Sequence, residues 1–189
     1  MNTQIKPTMH RGRHVAAGLS TILAAALGIS TAMAAPLDTS WKMATLPQVK
    51  ALLAKDSGKV SGKTVTYSGK IVHVVVAAVL PGFPFPSFEI HDVKNPTLDI
   101  PAGATVDITF INTNKGFGHS LDITKKGPPY AVMPAINPIV AGTGFSPVPK
   151  NGGFGYTDFT WHPTAGTYYY VCQIPGHAAT GMFGKIVVK

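Results

Sequence analysis

The sequence predicts an all-β protein: a two-sheet β-sandwich with one short helix ahead of it. Three observations carry that expectation. Segments rich in Val, Ile, Thr, Tyr and Phe recur along the chain, and such residues fit a pleated, half-buried surface. Gly and Pro clusters separate these segments and mark turns. Helical spacing of apolar residues stands out in one short stretch, Leu46, Val49, Leu52 and Leu53.

The chain has 189 residues. Its first 34 read as a secretory signal. Lys6, Arg11 and Arg13 form a basic start, Val15 to Ile29 is an apolar run, and Ala32-Met33-Ala34 is a small-x-small site that predicts cleavage after Ala34. The competing reading is an uncleaved membrane anchor. The run is short for that, because a spanning helix needs ~20 residues. The expected mature chain, 35–189, is one domain's worth of sequence, with an N-terminal extension over about 35–62.

Past the signal the chain keeps 13 lysines, no arginine and 8 acidic residues, a net charge of +5 against +8 for the whole. Nucleic-acid binders carry Arg and clustered basic runs. Here Lys125-Lys126 is the one adjacent pair, so the lysines read as a solvated surface. Few carboxylates leave little stability to lose in acid, where carboxylates with lowered pKa values lose their contribution.

Ala35 to Ser40 reads as a loose lead-in. Thr45 is a candidate N-cap with Pro47 in the first turn, and predicts a helix over about Leu46 to Lys55. Strands follow at Thr64-Val-Thr-Tyr67 and Ile71-Val-His-Val-Val-Val76, with Ser68-Gly69 as the turn between them. The run from Ile71 to Leu80 is apolar enough to be buried on both faces. Pro81-Gly-Phe-Pro-Phe-Pro86 is irregular, because prolines cannot donate to a ladder.

Phe88 to Asp92 alternates like a half-buried strand, Pro101-Ala-Gly-Ala is a turn, and Thr105 to Asn112 alternates again. Asn114-Lys-Gly-Phe-Gly118 is a glycine loop that delivers His119, and Ser120 to Ile123 is extended. Lys126 to Gly155 is dense in Pro and Gly, which predicts a long loop region with short strands. Tyr156 to Trp161, Thr167 to Cys172 and Phe183 to Lys189 complete the strands.

The chemistry concentrates in Cys172-Gln-Ile-Pro-Gly-His177-Ala-Ala-Thr-Gly-Met182. Cys172 is the single cysteine, so no internal disulfide is possible. A thiolate, an imidazole and a thioether form the donor set of an electron-transfer copper site, which takes two His, one Cys and a weak axial Met. His119, placed by its glycine loop, is the best candidate for the second imidazole.

His73 lies inside an apolar strand, His91 at a polar turn and His162 in a connection, which makes them weaker candidates; His10 and His14 leave with the signal. Zinc is the alternative metal, but it wants a closed set without a thioether. The competing reading has Cys172 and Met182 as core packing. Pro175, Gly176 and Gly181 speak against it, because they force an irregular backbone.

The Cys-x4-His-x4-Met loop, the upstream Gly118-His119 at the start of a strand, and Pro101 to Asn112 resemble the cupredoxins, the small blue copper proteins. The N-terminal helix, Pro81 to Pro86, and Trp161-His-Pro-Thr-Ala-Gly-Thr-Tyr-Tyr-Tyr-Val-Cys172 extend the resemblance to the acid-stable cupredoxins of iron-oxidising acidophilic bacteria. It covers essentially the whole mature chain.

The resemblance implies a Greek-key β-sandwich holding one type I copper ion, Cu(I)/Cu(II), on His119, Cys172, His177 and Met182. Many relatives carry Asn where this chain has Ser120, a neighbour able to tune ligand orientation and potential.

It further implies a monomeric periplasmic one-electron carrier, not an enzyme. Such a carrier works at high potential in an iron-oxidation chain and meets a c-type cytochrome or another redox protein transiently, through His177. Phe117, Ile174, Pro175 and Phe183 are expected to shield the metal. A copper enzyme of this fold needs further domains and extra histidines, and five histidines remain past the signal. A copper carrier or storage protein without a redox role is the alternative; its usual Met- and His-rich tracts do not occur.

Overall fold

Two β-sheets pack face to face in the computed structural model, which describes residues 40–133, 136 and 138–189 together with Met1. The signal reading and the lead-in before residue 40 lie outside the described residues. Among the described residues, thirteen strands and one helix run in the order β1 (Lys42–Ala44), α1 (Leu46–Leu53), β2 (Lys59–Ser61), β3 (Thr64–Thr66), β4 (Ile71–Ala78), β5 (Phe88–Ile90), β6 (Val93–Lys94), β7 (Thr97–Ile100), β8 (Thr105–Asn112), β9 (Asp122–Thr124), β10 (Ile139–Gly142), β11 (Phe154–Trp161), β12 (Gly166–Val171) and β13 (Phe183–Val188). One sheet has the order β1-β11-β8-β4-β5-β6, the other β10-β9-β12-β13-β7-β3-β2. Most neighbours are antiparallel; β4 with β8, and β7 with both β13 and β3, are parallel.

The core lies between the sheets. Val74, Val76, Phe88, Val106 and Phe110 from the first meet Leu98, Ile100, Ile123, Tyr170 and Ile186 from the second in one buried cluster. Tyr170 is fully buried, and its hydroxyl donates to the Pro96 carbonyl at 2.6 Å. Its ring lies where a side chain at Gly184 would stand: a Cβ there would come within 2.1 Å of it.

The continuous apolar run of β4 has a physical reason. Val74 and Val76 face the sandwich interior, while Val75 joins Ala44, Val49, Ile111 and Phe154 in a second cluster on the outer face. Helix α1 covers that face with Val49, Leu52 and Leu53. Eight residues are too few for a helix stable in isolation, so this docking holds it. Gln48 Oε1 also accepts from the Thr45 N–H at 2.8 Å. The helix ends at Leu53, two residues before the expected Lys55.

Four strands were not expected from the pattern. β1 pairs with the edge of β11, β2 forms a hairpin with β3 across Gly62 and Lys63, β6 pairs back on β5, and β7 lies between two parallel partners. All are two to four residues long, too short for alternation to show. A buried carboxylate ties the N-terminal part to the sandwich: Asp56 accepts from Gly58 N, Tyr67 Oη and Val75 N and pairs with His91 Nε2 at 2.7 Å.

Candidate metal centre

His119, Cys172 and His177 meet at one end of the sandwich. His119 comes from the loop between β8 and β9, Cys172 from the residue after β12, and His177 from the turn before β13. Their ligand atoms all lie within 4.8 Å of one another. Cys172 Sγ is 3.8 Å from His119 Nδ1 and 3.4 Å from His177 Nδ1, so both rings turn the same nitrogen toward the sulfur. All three are buried; His177, 7% exposed, is more open than His119 at 0%.

Met182 is fully buried in the same cluster as Cys172. The loop is closed by backbone bonds: Cys172 N–H donates to the Met182 carbonyl at 3.2 Å, Met182 N–H to the His177 carbonyl at 2.9 Å, and His177 N–H to the Ile174 carbonyl at 3.1 Å. Gly176 and Gly181 take positive φ, +85° and +109°, the left-handed region that glycine enters without penalty. Asn95 Nδ2 donates to the Gly181 carbonyl at 2.8 Å and fastens the loop from outside.

The other expected candidates are elsewhere. His91 pairs with Asp56, His73 Nδ1 lies 3.8 Å from Asp107 on an exposed sheet face, and His162 Nδ1 lies 3.5 Å from Thr105 Oγ1. Of the expected shielding residues, Phe117 is 52% exposed and stacks on Phe85, while Ile174 packs against the core. Pro175 is exposed, and Phe183 packs on Tyr130.

The contacts that support the ligands carried no sequence signal. Ser146 Oγ accepts from the His119 N–H at 2.9 Å and from Asn112 Nδ2 at 2.8 Å, and Ser146 N–H donates back to the His119 carbonyl at 2.7 Å. The Asn114 amide lies 3.0 Å from His119 Nε2. The amide atom facing the ring is Nδ2, which donates to an unprotonated Nε2; a proton on Nε2 requires the amide to turn its oxygen to the ring instead. Phe85, from the irregular proline loop, lies over both imidazoles: its ring centroid is 5.1 Å from that of His177 and 6.2 Å from that of His119.

Burial sets the protonation of the pocket. It pushes the Cys172 thiol up to about 11, against the opposing backbone bonds from Ser120 and Ile174. It lowers His119 to about 3, helped by the neighbouring His177, and lowers His177 as well. The metal-free pocket therefore holds a neutral thiol and two neutral imidazoles. Two imidazole nitrogens and a sulfur of this spacing fit one copper ion, whose binding displaces the thiol proton. Beside them, Asp122 is fully buried, with its carboxyl raised to about 6 by burial against the hydrogen bond from Gln173.

A family model of copper-binding proteins, the plastocyanin/azurin family, matches residues 92–189. The chain is 81% identical to rusticyanin of Acidithiobacillus ferrooxidans over 182 residues, which cover 96% of this chain and 97% of that one. Rusticyanin of Acidithiobacillus ferridurans is 80% identical over the same length. Sulfocyanin of Sulfolobus acidocaldarius is 35% identical over 98 residues, 48% of this chain and 49% of its own. Among solved structures, rusticyanin from Thiobacillus ferrooxidans superposes with a TM-score of 0.80 at 86% identity, covering 81% of this chain and 99% of that one.

Proposed function

The chain belongs to the plastocyanin/azurin family of copper-binding proteins, beside the rusticyanins, and from that footing we propose that it is an acid-stable, high-potential carrier in a periplasmic iron-oxidation chain. The family consists of electron-transfer proteins, not enzymes, and the chain binds one type I copper. Copper supplies the one-electron couple between Cu(II) and Cu(I).

The observation that carries the reading is the convergence of His119, Cys172 and His177 within 4.8 Å, buried beneath an exposed aromatic face. His119, Cys172 and His177 would hold the copper, with the Met182 thioether as a fourth ligand. The sandwich holds these side chains in place through the backbone bonds of the ligand loop and the Ser146 bridge, so little moves when the electron arrives.

An apolar, water-poor setting favours the less charged Cu(I) form, which raises the potential. The electron enters and leaves through His177, the more open imidazole. Around it Phe85, Phe117 and Pro175 present an apolar surface suited to the small, transient contacts of redox partners. A c-type cytochrome is the partner class, and the carrier acts as a monomer. The signal-like first 34 residues support export and cleavage after Ala34. Among the described residues no helix is long and apolar enough to cross a membrane.

The test is the visible spectrum of the Cu(II) protein, together with electron transfer to a purified c-type cytochrome in acid. An intense thiolate-to-Cu(II) band that disappears in Cys172→Ser, with rapid oxidation or reduction of the cytochrome, is the expected result. A colourless Cu(II) protein, or a low midpoint potential, overturns the reading.

A further inference from the structure

Glu89 on β5 is fully buried outside the metal centre. It sits at the foot of the irregular loop between β4 and β5, residues 79–87, whose Phe85 lies over both imidazoles. The carboxyl group reaches back into this loop at two points. Its Oε2 accepts from the Leu80 N–H at 2.8 Å, and its Oε1 lies 2.5 Å from Ser87 Oγ. Ser87 Oγ in turn lies 2.6 Å from the Pro84 carbonyl oxygen.

These two short contacts count protons. A hydroxyl has one proton to donate; a backbone carbonyl and an ionised carboxylate have none. If Glu89 were ionised, Ser87 could satisfy only one of its two acceptors, and the other pair of oxygens would face each other at 2.6 Å or less. If Glu89 carries a proton on Oε1, the chain closes: Glu89 O–H donates to Ser87 Oγ, Ser87 O–H donates to the Pro84 carbonyl, and Leu80 N–H donates to Oε2. The side-chain oxygens of Glu89 and Ser87 are then satisfied and no charge is buried on Glu89, the low-cost state of a buried carboxyl.

We propose that Glu89 is a positioning residue of the electron-transfer face: as a neutral carboxylic acid it locks the 79–87 loop and thereby holds Phe85 against the rings of His177 and His119. The locked form is complete in acid and comes apart when Glu89 ionises. Burial raises the pKa of Glu89 above the ordinary range, the hydrogen bonds from Ser87 and Leu80 opposing it. The groups facing it are few. Lys94 stands opposite on β6 and favours ionisation; Tyr170, on the other sheet, is buried and neutral, its hydroxyl engaged by Pro96; and Ala77, opposite on β4, carries no charge. The functional part of the proposal rests on reading the His177 face as the electron port; the proton on Glu89 does not.

The experiment uses the copper-loaded protein and the variants Glu89→Gln, Glu89→Ala and Ser87→Ala. Infrared spectra of the wild type at about pH 5.5, above the usual ~4.3 of a Glu side chain, are expected to show a protonated-carboxyl band that Glu89→Gln removes. Its absence overturns the neutral assignment. The Gln amide reproduces both contacts without charge, so Glu89→Gln is expected to match the wild type in acid and to become the more stable of the two as pH rises. A wild type that stays more stable than Glu89→Gln at neutral pH also overturns the proposal.

Proton NMR of the Cu(I) form reads the loop directly. Contacts between the Phe85 and His177 rings are expected to be kept in Glu89→Gln and weakened in Glu89→Ala, with a changed midpoint potential. Ser87→Ala, which breaks the link to Pro84, gives the same readout if Glu89→Ala does not fold. Unchanged ring contacts and potential in the folded variant overturn the positioning role. Neither the infrared nor the stability measurement involves a redox partner, so failure of the port reading leaves those two results standing.

Discussion

Ser120 holds the Cys172 strand end at two points: its N–H lies 3.5 Å from Cys172 Sγ, and its Oγ accepts from the Gln173 N–H at 2.9 Å. The first contact stabilises negative charge on sulfur. The second fixes the residue after it, so the sulfur cannot swing away from the two imidazoles. Ser120→Asp keeps an acceptor for Gln173 but adds a charge beside the metal. Its midpoint potential is expected to fall by on the order of 60 mV, a tenfold change in a one-electron equilibrium, at a pH where the new carboxylate is ionised. Potentiometric titration checks this, and an unchanged potential there removes Ser120 from the tuning of the site.

Asn114 supports His119 from behind. Losing an outer partner of a metal-bound imidazole costs about 10–100-fold in metal affinity. Asn114→Ala is expected to weaken copper binding by that factor while the fold persists, because the amide's contact is with the His119 ring. Competition with a chelator measures it.

Phe85 shields both rings, though it is itself 49% exposed. Phe85→Ala is expected to admit water to His177, lower the potential and slow electron exchange with a cytochrome. The same opening bears on acid. In the reduced wild-type protein, His177 is expected to protonate and leave the metal before His119, because His119 is the more deeply buried and the more strongly disfavoured as a cation. An NMR pH titration of the Cu(I) protein in which His119 detaches first contradicts this.

Asp122 gives a pH dependence of opposite sign to that of an ordinary ion-paired carboxylate. Its folded pKa, about 6, stands above the ordinary 3.8, so between those values the native state binds the extra proton. Stability from this group therefore rises as pH falls from about 6 to about 4, and is lost as pH rises again. Its Oδ1 has no hydrogen-bond partner among the described residues, which makes the ionised form costlier still. Relative to Asp122→Asn, the wild type is expected to gain up to about 3 kcal/mol over that interval. Urea unfolding of the copper-loaded proteins at both ends of the range tests it; a wild type that loses ground in acid refutes the assignment.

In the metal-free protein the two histidines work the other way. Their folded pKa values are lowered, to about 3 for His119, so the unfolded chain takes up protons first as pH falls below about 6.5. The stability held by the neutral rings is lost from there downward. Apoprotein is therefore expected to lose more stability in acid than copper-loaded protein, which thermal melts of the two forms at falling pH will show.

The sequence by itself determined the type of fold and the chemistry. Alternation in Thr105 to Asn112 was enough to read β8, and the spacing of Cys172, His177 and Met182 was enough to read a soft-metal loop, because both signals are local. The short strands β1, β2, β6 and β7 were illegible, since two to four residues express no period and form only where a neighbouring strand offers its edge. His119 could be placed at a strand start, but its distance from Cys172 depends on β9 lying beside β12 across some fifty residues of chain. Ser146 and Glu89 belong to no motif, and the motifs that contain Phe85 and Asn114 do not show that these side chains reach the imidazoles. The tertiary structure alone decided that a proline loop closes over the imidazoles, and that a buried carboxyl and one serine hydroxyl hold it there. Such contacts join residues far apart in sequence, and their energy appears only once the sheets have packed and excluded water.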